Sequence, residues 1–294
     1  MIETIFWLSL IGTIYSYLIY PLIMWLLAAL HKDKPASDIT PKNHTASLII
    51  TVYNEELRIA KKIEQSLVLN FPSDGLQIIV ASDASDDDTD TIVKGYEQQG
   101  VLLVRAEGRL GKEHAQNLAI EKASGELLIF TDVGTEIEAN SLLTLARHFD
   151  NPLIGAVSSV DRMISSGGTP LGEGLYVRYE MALRKHESKA STLVGLSGSF
   201  FASRREICAQ WNSQIPSDFN TALNCARQNL KAISADDVIG IYPDIQDPAK
   251  EYPRKRRTIL RGISAVASST DLLNFIRYPG FATLDSLFNY GATK

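Results

Sequence analysis

Cysteine, histidine and excess positive charge are all scarce in this chain of 294 residues. Its two cysteines, Cys208 and Cys225, show neither the density of a disulfide scaffold nor the paired spacing of a zinc site. They read as free thiols. Five scattered histidines supply no H-x-x-x-H pair, so the commonest helical metal motif is missing. A formal net charge of −5 argues against a general nucleic-acid binder, whose footprint is a basic surface. No internal repeat or low-complexity tract is present, and no uninterrupted second apolar helix follows the first. What is present, at 45% hydrophobic content, suffices for one large domain with a solid core.

The N-terminus stands apart. Ile5 to Leu30 carries no charged residue, but it holds Phe6, Trp7, Tyr15, Tyr17, Tyr20 and Trp25. About 20 apolar residues cross a bilayer. Pro21 predicts a kink, which membrane helices tolerate. A signal peptide would open on positive charge, and Met1-Ile2-Glu3-Thr4 does not. A buried core helix is the other alternative. Residues 1–30 therefore read as a single transmembrane helix. Lys32, Lys34 and Lys42 follow it against only Glu3 before it, which predicts a cytoplasmic catalytic domain. The sequon Asn43-His44-Thr45 is then a chance match. Residues 31–46, with Pro35 and Pro41, read as a juxtamembrane linker.

Alternation begins after that linker. The pattern predicts strands over 47–53, 77–82, 101–105, 127–131 and 154–160. It predicts helices over 55–69, 86–99, 112–123 and 141–149, the second of them capped by the Ser85 and Asp cluster. This is a doubly wound α/β sheet. The second half is less regular, with helices expected over 171–186, 216–230, 260–267 and 272–288 and a short strand at 200–203.

Two apolar runs end on acids. Asp83 closes Gln77-Ile78-Ile79-Val80-Ala81-Ser82, and Asp132 closes Glu126-Leu127-Leu128-Ile129-Phe130-Thr131. Open parallel sheets bind ligands beyond the carboxyl ends of their strands, so both acids point toward one crevice. Carboxylates there suit a ribose hydroxyl and a hard cation that neutralises phosphate. Each has an ordinary structural account as a turn or helix cap. So does Thr51-Val52-Tyr53-Asn54-Glu55-Glu56, in which Asn54 can cap the following helix. Arg109-Leu110-Gly111-Lys112 brings a glycine and a cation to a helix start, where backbone can approach phosphate. Its glycine spacing is not that of the P-loop.

Taken in order, these segments resemble the family 2 glycosyltransferases, inverting nucleotide-sugar enzymes of the GT-A fold, and their membrane-bound processive relatives. The family's P-x-Y-N-E-E is similar to Thr51–Glu56, its D-x-S-x-D to Asp83–Asp87, and its R-x-G-K-x-x-A-x-N to Arg109–Asn117. Its D-x-D falls on Asp132, its G-x-x-x-x-x-R-R-E on Gly198–Glu206, and its acidic acceptor pair on Ser217-Asp218. Its closing Q/R-x-x-R-W falls on Arg254–Thr258. The resemblance covers residues 46–262. The departures are Thr51 for proline, Gly134 for the second acid of D-x-D, Ser217 for one acceptor acid and Thr258 for tryptophan.

The resemblance implies a GT-A domain over 47–262, followed by a membrane-proximal helical segment over 263–294. It implies that Asp218 is the catalytic base. Thr51, Tyr53, Glu55 and Asp83 would hold the nucleoside, with Arg109 and Lys112 on nucleotide or phosphate. Asp132 would hold a divalent cation, Mg²⁺ or Mn²⁺, and Arg254 and Arg257 would clamp the diphosphate. The implied partners are a nucleoside-diphosphate sugar, a glycan or lipid-linked acceptor, and the membrane, with no nucleic acid. Alternatives are transfer to a polyprenyl phosphate and a non-catalytic nucleotide-sugar-binding subunit. A nucleotidyltransferase shares the α/β plan but expects a glycine-rich loop where Tyr53-Asn54-Glu55 stands.

Overall fold

A computed structural model describes residues 2–30, 42–72, 75–164, 175–243, 256, 259–265 and 267–273. Its centre is an eight-stranded mixed sheet in the order β3-β2-β1-β4-β7-β6-β8-β5. The strands are β1 (Ala46–Val52), β2 (Leu76–Ser82), β3 (Val101–Arg105), β4 (Leu127–Asp132), β5 (Glu136–Ile137), β6 (Ile154–Ile164), β7 (Phe200–Arg204) and β8 (Lys231–Pro243). β1 to β4 pair in parallel, and β7 runs antiparallel to both β4 and β6. The expected α/β sheet is therefore present, and its first four strands carry the sequence's apolar runs.

Side chains along a strand alternate between faces, and the two faces of this sheet are both covered. Leu48, Ile50, Val52, Ile78, Val80 and Ile129 pack against α3 (Ile59–Leu67), α4 (Thr89–Lys94) and α6 (Ser141–His148). Ile49, Ile79, Ala81, Leu128, Phe130 and Phe201 point the other way, onto α5 (Lys112–Lys122) and α8 (Ser217–Arg227). Burying each large apolar side chain contributes about 1.5–3 kcal/mol. Backbone packs closely where β4 begins: a Cβ on Gly125 would lie 2.3 Å from the Ala46 carbonyl carbon. Cys208 and Cys225 are buried free thiols on this second face, and burial raises the Cys208 thiol to about 12.

Several elements differ from expectation. The helix expected from residue 55 starts at Ile59. Asn54 adopts φ 53° and bonds Asp86 in both directions, so it does not cap α3. Asp87 accepts from the Glu56 N–H, which keeps the acidic cluster in the turn and delays α4 to Thr89. β8 was not expected. Polar Ser234, Asp236 and Asp237 interrupt its apolar pattern, and its pairing with β6 is irregular. Of the two expected C-terminal helices, residues 259–265 of the first are helical where described; residues 274–288 of the second lie outside the described residues, which end on a short 3₁₀ turn at Thr270–Leu273. Ala265 and Leu272 pack on Phe219 and Leu223 of α8.

The N-terminal helix, Ile2–Leu30, is long and apolar enough to cross a membrane. Its first section, α1 (Ile2–Ile14), buries no residue. Its last, α2 (Tyr20–Leu30), buries Tyr20, Met24 and Ala28. Tyr20 and Met24 meet Leu183 and Tyr179 of α7 (Leu175–Ala190), and the Tyr20 hydroxyl donates to Glu187 Oε1 at 2.8 Å. Pro21 has no N–H to return to the Tyr17 carbonyl. The chain passes through one π-helical turn at Tyr15–Ile19, and the Tyr179 hydroxyl donates to the Tyr17 carbonyl instead, at 3.3 Å.

Candidate functional site

The open ends of β1, β2 and β4 lie side by side, with Thr51 in register with both Ala81 and Asp132. Parallel pairing of apolar runs produces this juxtaposition, because each run stops at a polar residue one step past the core. Asp83 is buried and accepts hydrogen bonds from the Leu110 and Gly111 N–H groups at 3.0 and 2.9 Å. It holds the Arg109–Lys112 loop against the strand ends. Gly111 takes φ 103° there, in the region that favours glycine. Arg109 leaves that loop to stack its guanidinium 3.9 Å from the Tyr53 ring centroid.

Lys112 opens α5 and reaches across the crevice. Its ammonium donates to Asp132 Oδ1 at 2.5 Å and to the Gly198 carbonyl at 3.0 Å. Gly198 abuts Asp218: a Cβ there would lie 3.5 Å from Asp218 Oδ2. Asp218 sits buried in the first turn of α8, where the helix dipole favours a carboxylate, and its Oδ1 accepts from the Phe219 N–H at 3.0 Å. Asp83, Asp132 and Asp218 thus converge around Lys112 and Gly198. Thr51 accepts from Gln116 Nε2 at 3.1 Å on the same rim.

Glu55 is engaged differently from expectation. Its carboxylate grips Arg58 through two hydrogen bonds of 2.7 Å, rather than standing open at the crevice. Arg254 and Arg257 lie outside the described residues, as does Thr258.

The structure adds residues the sequence did not single out. Lys62 of α3 is buried and donates to Thr131 Oγ1 at 3.1 Å and to the Thr135 carbonyl, on either side of Asp132. Burial lowers its ammonium to about 8, with the charges of Asp132 and Glu136 opposing the fall. Its signal was a lysine amid Ile59 and Ile63 on an otherwise apolar helix face. Behind the Gly195–Ser199 loop, Asp161 Oδ1 accepts from the hydroxyls of Ser197 and Ser199 at 2.6 and 2.8 Å. Arg184 of α7 donates to Ser158 Oγ and to the Gly195 carbonyl, at 3.0 and 3.2 Å. The helix that receives α2 therefore also braces the loop carrying Gly198.

Asp132 is 44% exposed in its side chain, enough to reach a cation at the open strand end. Among the described residues no cluster of three acids, histidines or cysteines stands ready to enclose one. This donor set fits a hard cation that takes one carboxylate from protein and its remaining ligands from phosphate and water.

The profile of Glycosyl transferase family 2 matches residues 47–211, from β1 past the short turn after β7. The chain is 28% identical over 115 residues to the beta-monoglucosyldiacylglycerol synthase of Trichormus variabilis, covering 38% of this chain and 25% of that protein. It is 26% identical over 167 residues to the GalNAc(5)-diNAcBac-PP-undecaprenol beta-1,3-glucosyltransferase of Campylobacter jejuni, covering 53% of this chain and 50% of that one. The chain thus spans half or less of these curated relatives. Its fold resembles mannosyltransferase PcManGT from Pyrobaculum calidifontis in complex with GDP-Man and Mn²⁺, with a TM-score of 0.72 and 22% identity over 96% of this chain and 83% of that one. Staphylococcus aureus TarS in complex with UDP-GlcNAc superposes with a TM-score of 0.54 and 16% identity, over 78% and 67% of the two chains. With its GT-A sheet, its ordered motifs and this match over more than half its length, the chain belongs to glycosyl transferase family 2.

Proposed function

We propose that this protein is an inverting glycosyltransferase that moves a sugar from a nucleoside diphosphate to an acceptor hydroxyl at the cytoplasmic face of a membrane. The observation that carries this reading is the convergence of Asp83, Asp132 and Asp218 around Lys112 and Gly198. Direct displacement at an anomeric carbon needs a base on the acceptor side and charge neutralisation on the leaving-group side. The site offers both next to Gly198, with Lys112 on its carbonyl and Asp218 beside its Cα.

Asp218 is the base in this reading. It takes the proton of the acceptor hydroxyl as oxygen attacks the anomeric carbon, and the bond to the diphosphate breaks on the far face. Thr51 and Tyr53 line the nucleoside side, with the Glu55 carboxylate taken up by Arg58 beside them, and Asp83 shapes it by fixing the Arg109–Lys112 loop. Arg109, stacked on Tyr53, and Lys112 meet nucleotide and phosphate. Asp132 would hold Mg²⁺ or Mn²⁺, which supplies Lewis-acid stabilisation of the leaving diphosphate. With a cation there, Asp132 would give up its bond to Lys112, and the ammonium would be available to the phosphate. Arg254 and Arg257 complete the diphosphate clamp in this proposal.

The docked N-terminal helix favours an acceptor that is itself carried on a lipid. α7 packs against α2 and also braces the Gly195–Ser199 loop, and this link between the apolar helix and the loop beside Asp218 supports that reading. The basic residues after Leu30 support a cytoplasmic domain by the positive-inside rule. A screen of nucleotide sugars for hydrolysis and transfer tests the proposal, run with soluble and polyprenyl-phosphate acceptors. Asp218→Asn should keep nucleotide binding while turnover falls by roughly 10²–10⁴-fold. Turnover unaffected by Asp218→Asn, or no nucleotide sugar bound or consumed, would overturn it.

A further inference from the structure

The turn that follows β4 has one acid where the family has two, and the structure shows what stands beside the gap. Gly134 occupies the second acidic position. A Cβ built on it would lie 3.6 Å from Arg58 Nη1. Arg58 is held in that direction by Glu55, which takes its Nε–H and one Nη2–H. Nη1 has no protein partner among the described residues, and the Arg58 side chain is 59% exposed. Guanidinium with one edge fixed and the other edge open is suited to phosphate, which it binds through paired N–H donors.

Lys62 lies one helical turn further along α3 and faces the same turn from beneath. A buried cation is costly unless it is fully paired. Among the described residues no carboxylate lies within 4 Å of this ammonium; its bonds go to Thr131 Oγ1 and the Thr135 carbonyl. An apolar side chain would fill that space at lower cost to folding. Lys61 completes the arrangement by pairing with Glu136 at 2.7 Å, which fixes the far end of the turn to α3.

We infer that Arg58 is a donor-diphosphate ligand, and that Lys62 is a positioning residue holding the Asp132–Thr135 turn beneath it. The pair offsets the missing second acid: a carboxylate at position 134 would bind a cation that neutralises phosphate, whereas Arg58 neutralises phosphate directly. This rests on the nucleotide-sugar reading above.

The test is calorimetric titration of the full-length protein with UDP and GDP, and with uridine and guanosine, in EDTA and again with Mn²⁺. Arg58→Gln should weaken the preferred diphosphate about tenfold in EDTA, the order expected for losing a charged hydrogen-bond pair. Binding of the parent nucleoside should not change, and Arg58→Lys should recover part of the loss. Gly134→Asp should act like Arg58→Gln in EDTA, because the new carboxylate pairs with Nη1, and Mn²⁺ should restore its binding. Lys62→Met should weaken diphosphate binding while the nucleoside binds unchanged. Equal diphosphate affinity for Arg58→Gln and the natural chain, or equal losses for diphosphate and nucleoside, would overturn the inference. Failure of the natural chain to bind either diphosphate would instead remove the glycosyltransferase reading, and this inference with it.

Discussion

Lys112 Nζ lies 2.5 Å from Asp132 Oδ1 and 3.0 Å from the Gly198 carbonyl, joining three segments far apart in the chain. The start of α5, the end of β4 and the loop before β7 meet at one ammonium. Lys112→Met removes that junction and, under the proposed function, a cation for the donor phosphates. Steady-state kinetics should show the donor KM rising roughly tenfold, the size of one charge-assisted hydrogen bond. An unchanged KM would mean that the ammonium only fills the empty crevice.

Gly111→Ala tests the backbone beneath that lysine. No atom lies within 4 Å of the added Cβ, so a steric clash is absent. The cost comes from φ 103°, which an L side chain rarely adopts, and amounts to roughly 1–3 kcal/mol. The melting temperature should fall, and the Gly111 N–H should lose its bond to Asp83. A melting temperature equal to that of the natural chain would show that the loop relaxes freely.

Gly125→Ala makes the opposite case. Its Cβ would meet the Ala46 carbonyl carbon at 2.3 Å and the Ser47 nitrogen at 2.5 Å, both main-chain atoms of a central strand. Neither can move without shifting β1. Soluble expression and thermal unfolding should show a loss of about 1–3 kcal/mol or more.

Glu187 gives the protein a pH response. Burial raises its carboxyl from the ordinary 4.5 to about 7, against the opposing charge of Arg184. Between those values the folded chain binds more proton than the unfolded chain. Its contribution to stability is therefore greatest at the acid end and falls as pH rises toward 7. Thermal unfolding of the full-length protein in detergent between pH 4.5 and 8 should show this fall, reduced in Glu187→Gln. Tyr20→Phe should cost about 1 kcal/mol through the lost hydrogen bond. If Tyr20→Phe unfolds like the natural chain at every pH, the contact between α2 and α7 is not held by this pair.

The strand ends bearing Asp83 and Asp132 were legible because a buried parallel strand is written as a short apolar run, and the run stops where the ligand side begins. The loop Arg109–Lys112 was legible as a glycine and a cation at a helix start. The length of the helix after Asp83 was misjudged. Its acids bond Asn54 and Glu56 across the crevice, and such cross-strand partners are invisible in a local pattern. β8 was missed for a related reason: its polar residues face α6 and α7 side chains such as His148 and Lys185, partners supplied only by folding.

Local chemistry alone determined the apolar N-terminal helix, the alternation of strands with helices, and which acids end the strands, because each depends on residues close in sequence. Tertiary structure decided that Lys112 bonds Asp132, that Arg58 stands beside Gly134, and that Tyr20 meets Glu187. Those pairs are separated by 20, 76 and 167 positions. Only the packing of α3, α5 and α7 on the sheet brings their charges within hydrogen-bond or van der Waals reach.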